Sequence, residues 1–131
     1  MKLARRFKKL TGNRKLKVWV LAPSVKTNDE QLNYYYDFSQ SIEEYTRVFE
    51  KIKTVWHWQP VTLADYQEII RDIQKELHHG NFFPLVLNLC DGDEVNGTPG
   101  ISVVKLLELS GLVFTGADSH FYDITTSKIP M

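Results

Sequence analysis

Three carboxylates stand within four residues at Asp91, Asp93 and Glu94, directly after the apolar run Leu85-Val86-Leu87-Asn88-Leu89-Cys90. Acids at that density can meet an ammonium group or a cation; on an ordinary turn they are only solvated charges, and the residues themselves leave both readings open. Asp91-Gly92-Asp93-Glu94 has the flavour of a calcium loop, but the twelve-residue ligand pattern closed by a glutamate is missing. Cys90 borders the acids. A nucleophilic thiol needs a base beside it, and none is identifiable, so the expectation is a small buried side chain at a strand end. His57, His78, His79 and His120 lack the spacing of a metal-ligand set. Neither a phosphate-binding loop nor a dinucleotide fingerprint is present.

The elements around the acids decide where they point. The apolar run before them has the length and β-branched content of a buried strand. The loop closes in Asn96-Gly97-Thr98, where Thr98 is expected to cap a helix and Pro99 to occupy its first position. Ile101, Val104, Leu106 and Leu107 keep a helical period, and Gly111 falls where a left-handed terminal residue is wanted. Leu112-Val113-Phe114 then reads as a strand. Strand, loop, helix and strand at this spacing make a βαβ unit, hence a parallel sheet with a right-handed crossover. Ligands bind at the carboxyl ends of the strands in such sheets, which is where the loop from Cys90 to Thr98 falls. The helix N-terminus offers N–H groups suited to a carboxylate, and Asp91, Asp93 or Glu94 suit an ammonium. A zwitterionic, amino-acid-like ligand fits both.

Upstream, Leu16–Ala22 is the first apolar strand, expected to be central and to stop at Pro23. The connection from Ser24 carries Tyr34-Tyr35-Tyr36, which either stack on a substrate or pack onto the domain. A helix begins between Asp37 and Ser41, with Ser41 and Glu44 in a capping-box pattern and Ile42, Tyr45, Val48, Phe49 and Ile52 as its apolar stripe. Thr54–Trp58 alternates as an edge strand ended by Pro60. Thr62 caps the next helix, whose stripe is Leu63, Tyr66, Ile70, Ile73 and Leu77, and His78-His79-Gly80 closes it. The order β-α-β-α-β-α-β predicts an α/β fold, an open three-layer sandwich with a mainly parallel sheet.

At 131 residues the chain has the size of a single domain. Net charge is zero, yet half of the 16 lysines and arginines precede Val18 with no acid among them. Residues 1–15 are therefore expected to be a basic, solvated arm and residues 16–131 the folded domain; nucleic acid and membrane are not expected as partners. No apolar run suits a secretory signal or a membrane span, and the single cysteine excludes an internal disulfide, which together point to the cytoplasm.

The stretch from Leu85 to Lys128 resembles the N-terminal domain of the D-alanyl-D-alanine ligases of the ATP-grasp superfamily. The resemblance rests on the apolar strand, the Asn96-Gly97-Thr98 loop end, the helix with Leu106-Leu107-Glu108-Leu109, the run Gly111-Leu112-Val113-Phe114-Thr115-Gly116, and Lys128 twelve residues beyond. It implies a Rossmann-like pre-ATP-grasp domain. It also implies a reaction in which ATP phosphorylates the carboxylate of one substrate and the amine of a second attacks the acyl phosphate. By the resemblance, Cys90, Asp91, Asp93, Glu94, Asn96, Gly97 and Thr98 form the domain's contribution to the first-substrate site, and Lys128 meets a phosphate of ATP. ATP and magnesium would be held mainly by ATP-grasp core domains that this chain lacks, so alone it is expected to be inactive. The chain departs from the pattern in places. Cys90 replaces the family's histidine, Val95 and Asn96 replace a glutamate and an aspartate, and Ala22-Pro23-Ser24 replaces a glycine-rich turn followed by a glutamate. The resemblance thus implies the superfamily and not D-alanine as substrate. A non-catalytic α/β binding or interaction module that keeps only the fold is the alternative, and a homodimer stays open under either.

Overall fold

The computed structural model describes residues 14–24, 38–92 and 94–116. Along them run β1 (Lys15–Pro23), α1 (Ser39–Lys51), β2 (Val55–Val61), α2 (Tyr66–His79), β3 (Phe82–Asn88), a short 3-10 turn (Glu94–Asn96), α3 (Ile101–Ser110) and β4 (Val113–Thr115). The strands form one sheet in the order β2-β1-β3-β4, and every neighbouring pair is parallel. The fold is α/β, an open sandwich, as the alternating strand and helix patterns predict.

From β1 the chain winds outward to β2, then crosses back over β1 to β3 and continues to β4. With crossovers of the usual right hand, that route places α1 on one face and α2 with α3 on the other. The packing agrees. Val18 and Val20 of β1 meet Phe49 and Tyr45 of α1 on one side. Leu21 and Val86 meet Ile70 and Ile73 of α2 and Val103 and Leu107 of α3 on the other. Burial on both faces explains why β1 and β3 read as near-continuous apolar runs rather than alternating ones. Between β1 and β3 the direction of winding reverses, so the carboxyl ends of these two strands flank the crevice where such sheets take ligands.

Three local expectations are corrected. Pro60 does not end β2; it sits inside the strand opposite Ala22. An edge strand has a ladder on one side only and tolerates a proline there. Pro84 in β3 is accommodated similarly, because β4 pairs only with Leu85–Leu87 and Pro84 lies beyond that ladder. α1 starts at Ser39 with no side-chain cap, so Ser41 and Glu44 lie within the helix and form no capping box. α2 starts after Asp65 rather than Thr62. The Asp65 carboxylate accepts the Thr62 N–H at 2.7 Å, while the Thr62 carbonyl accepts from Asp65 and Tyr66, so Thr62 belongs to the turn that leads in.

At the other end of α2, Arg14 donates to the Leu77 carbonyl at 2.7 Å and its guanidinium lies over the Phe83 ring. A cation on the last carbonyls offsets the negative end of the helix dipole. Among the described residues no helix is long and apolar enough to cross a membrane.

Candidate functional site

The site grows from the end of β3. Asn88 is buried, and its side-chain carbonyl accepts the Cys90 N–H at 3.0 Å, which turns the chain as it leaves the sheet. Leu89 still donates to the Leu21 carbonyl of β1 at 2.9 Å, so the turn begins flush with the carboxyl end of the central strand. Cys90 is 1% exposed and its Sγ lies 3.8 Å from the Leu21 carbonyl. Burial, and then the negative charges of Asp91, Asp65 and Glu94, push the Cys90 thiol up to about 12. At neutral pH it is a protonated, sealed thiol rather than a nucleophile.

Asp91 emerges exposed. Gly92 next donates its N–H to the Pro99 carbonyl at 3.0 Å and forms a bridge with Gly100. The two glycines make the neck of a closed loop. A Cβ on Gly100 would fall within the radius of the Gly92 carbonyl oxygen, and a Cβ on Gly92 would lie against Thr98. Only glycine lets these two backbones touch. Within the loop, Glu94–Asn96 make a single 3-10 turn, and Gly97 closes it with φ of +86°. Thr98 and Pro99 are buried under the neck, while Gly97 is exposed. Asp93, the side chain of Asn96 and Lys128 lie outside the described residues. Asn96-Gly97-Thr98 also has the form of an N-glycosylation acceptor, but the Thr98 side chain is buried.

Glu94, unlike the exposed Asp91, is tied to its own chain. One carboxylate oxygen accepts the N–H groups of Gly100 at 3.0 Å and Ser102 at 2.9 Å, and the other accepts the Ser102 hydroxyl at 2.6 Å. Partial burial works to raise its pKa, but the hydrogen bonds from the Ser102 hydroxyl, the Ser102 N–H and the Gly100 N–H, with help from Lys105, outweigh it and hold the carboxyl below the ordinary value. This corrects the expected helix start. α3 begins at Ile101 with Gly100 at its N-cap, not at Pro99 behind a Thr98 cap, because the capping group is Glu94, reaching across the loop. It also corrects the expected role of the helix N-terminus. Two of its N–H groups already hold a carboxylate of this chain.

The structure therefore brings Asp91, Gly92, Glu94, Gly97 and Thr98 into one closed loop at the ligand end of β3 and sorts them. Asp91 and Gly97 face outward, Glu94 is turned onto α3, and Cys90 and Thr98 lie beneath. Among the described residues, the loop offers a ligand a carboxylate at its entry and an exposed glycine backbone at Gly97. Among the described residues, no group of three or more His, Cys, Asp or Glu is placed to hold a metal ion.

A concavity away from this loop escaped the sequence. A groove of about 200 Å³ opens between the carboxyl ends of β1 and β2 and the start of α1, lined by Pro23, Ser24, Phe38, Ser39, Trp58 and Pro60 among others. Phe38 and Trp58 meet there with ring centroids 5.5 Å apart. Three separate segments build it, so no spacing along the chain marks it. In comparisons with protein-family models, curated proteins and solved structures, nothing matches this chain.

Proposed function

We propose that this chain is the substrate-side α/β domain of an ATP-dependent carboxylate–amine ligase similar to the D-alanyl-D-alanine ligases, forming a C–N bond through an acyl phosphate. The observation that carries the reading is the closed loop from Asp91 to Gly100 at the carboxyl end of β3, beside the point where the sheet's winding reverses. Its position coincides with the loop on which the sequence resemblance centres. In this reading the chain's residues bind and orient one substrate. Asp91 holds the ammonium of an amino-acid-like ligand, and the exposed backbone at Gly97 borders it. ATP and magnesium belong mainly to the ATP-grasp core of the complete enzyme, with Lys128 as this chain's phosphate contact. When bound there, ATP supplies the phosphoryl group that activates the carboxylate.

One observation favours the alternative of a binding or interaction module without chemistry: Glu94 satisfies internally the N–H groups that would otherwise receive a substrate carboxylate. Kinetics separate the two. In an enzyme joining this domain to its ATP-grasp core, Asp91→Asn is expected to raise the KM for the amino-acid substrate about ten- to a hundredfold, the worth of one charge-assisted contact, and to leave the KM for ATP unchanged. Unaltered kinetics for every substrate would remove Asp91 from the site, and absence of ATP-dependent ligation in the joined protein would favour the non-catalytic module.

A further inference from the structure

We propose that Glu94 is a positioning residue, a latch that fastens the Asp91–Gly100 loop to the head of α3, and that releasing its carboxylate frees the loop while the sheet stays folded. The proposal deepens the substrate-loop reading above, but the latch itself is a property of the chain that exists with or without a ligand.

The geometry gives the argument. Among the described residues, two sets of hydrogen bonds close the loop. Its neck is backbone on backbone, Gly92 against Pro99 and Gly100. Its second fastening is the Glu94 side chain, which returns over six residues to Gly100 and over eight to Ser102. Three donors converge on two carboxylate oxygens there, at 2.6 to 3.0 Å. Charge-assisted bonds of this length are the strong class, and the positive end of the helix dipole adds to them. Val95, next along, is 93% exposed, so the 3-10 turn has little apolar packing of its own at that position. The Glu94 carboxylate is thus the described side-chain tie between this turn and α3.

Among the described residues, the charged groups around the latch are Lys105 on α3, which favours the ionised form, and Asp91 and Asp65, which share with Glu94 the surroundings of Cys90. Cys90 stays neutral and adds no competing charge. With its folded-state pKa below the ordinary 4.5, Glu94 holds the latch fully above that value and loses it as pH falls through the lower one. Glu94 is consequently ionised and occupied at neutral pH, which leaves Asp91 as the described acid of the loop that is open to an incoming ammonium.

Nuclear magnetic resonance on the 131-residue chain tests this directly. The Glu94 carboxyl carbon and the Gly100 and Ser102 amides should titrate together, with one apparent pKa below 4.5. In Glu94→Ala those two amides should lose hydrogen-exchange protection by about tenfold or more, while Val86 and Leu87 in β3 keep theirs. Glu94→Gln, which retains one strong acceptor oxygen, should lie between. If Glu94→Ala does not fold, Ser102→Ala removes the hydroxyl bond and should lower protection at the amides of positions 100 and 102, while Val86 and Leu87 keep theirs. Amides of Gly100 and Ser102 that ignore the Glu94 titration, or protection unchanged in the variants, would overturn the latch. Neither readout involves substrate, so a failed latch and a failed substrate assignment are told apart.

Discussion

Gly100→Ala is expected to lower stability by about 1–3 kcal/mol and to dislodge the loop from α3. The added Cβ meets the Gly92 carbonyl oxygen, which is backbone and cannot swing aside as a side chain would. Separating the two strands of the neck also breaks the Gly92 N–H bond to Pro99 and moves Gly100 away from Glu94. Gly97→Ala supplies the contrast. It has open space around it but a φ of +86°, so it should cost about 1–2 kcal/mol through conformation and leave the neck intact. Urea unfolding measures both, and the exchange protection of Ser102 separates them. Wild-type stability and protection in Gly100→Ala would show that the neck is not a tight contact.

Ile73→Ala should destabilise the chain by about 2–5 kcal/mol, the range for emptying a core site. Ile73 is fully buried at the middle of α2, in the cluster that joins Leu21 of β1, Val86 of β3 and Leu107 of α3. A cavity there loosens both helices of one face from the sheet at once, with α2 and α3 in mutual contact above it. Leu109→Ala, at 84% exposure on the outer side of α3, should change stability by less than about 0.5 kcal/mol. Equal effects of the two substitutions in urea would contradict the placement of the core.

Much of this architecture is written in local pattern. β1 is apolar along its length because both of its faces are covered, and the stripe through Ile70 and Ile73 is buried because α2 has one apolar side. Gly111 ends α3 at φ of +78°, a conformation that sequence can announce because glycine alone adopts it freely. Features made by distant contacts were not legible. The Glu94 cap spans six to eight residues, whereas the recognised cap patterns span three, and it forms only because Gly92 and Gly100 close the loop. The edge position of β2 was legible from its alternation, but that its ladder runs on through Pro60, opposite Ala22, shows only in the register of the sheet. Of the acids, sequence marked Asp91 and Glu94 alike, since composition records charge but not the direction in which a loop turns it.

We propose that the Asp91–Gly100 loop is the ligand-facing part of a domain that binds an amino-acid-like substrate and leaves ATP to other domains. Amide chemical-shift mapping of the labelled chain, titrated in parallel with a panel of free amino acids and with MgATP, tests it most directly. The expected result is saturable shifts at Asp91, Gly92 and Gly97 with one class of amino acid, reduced in Asp91→Asn, and none of comparable affinity with MgATP. Micromolar MgATP binding, or amino-acid shifts confined to the Phe38–Trp58 groove with the loop unmoved, would contradict it.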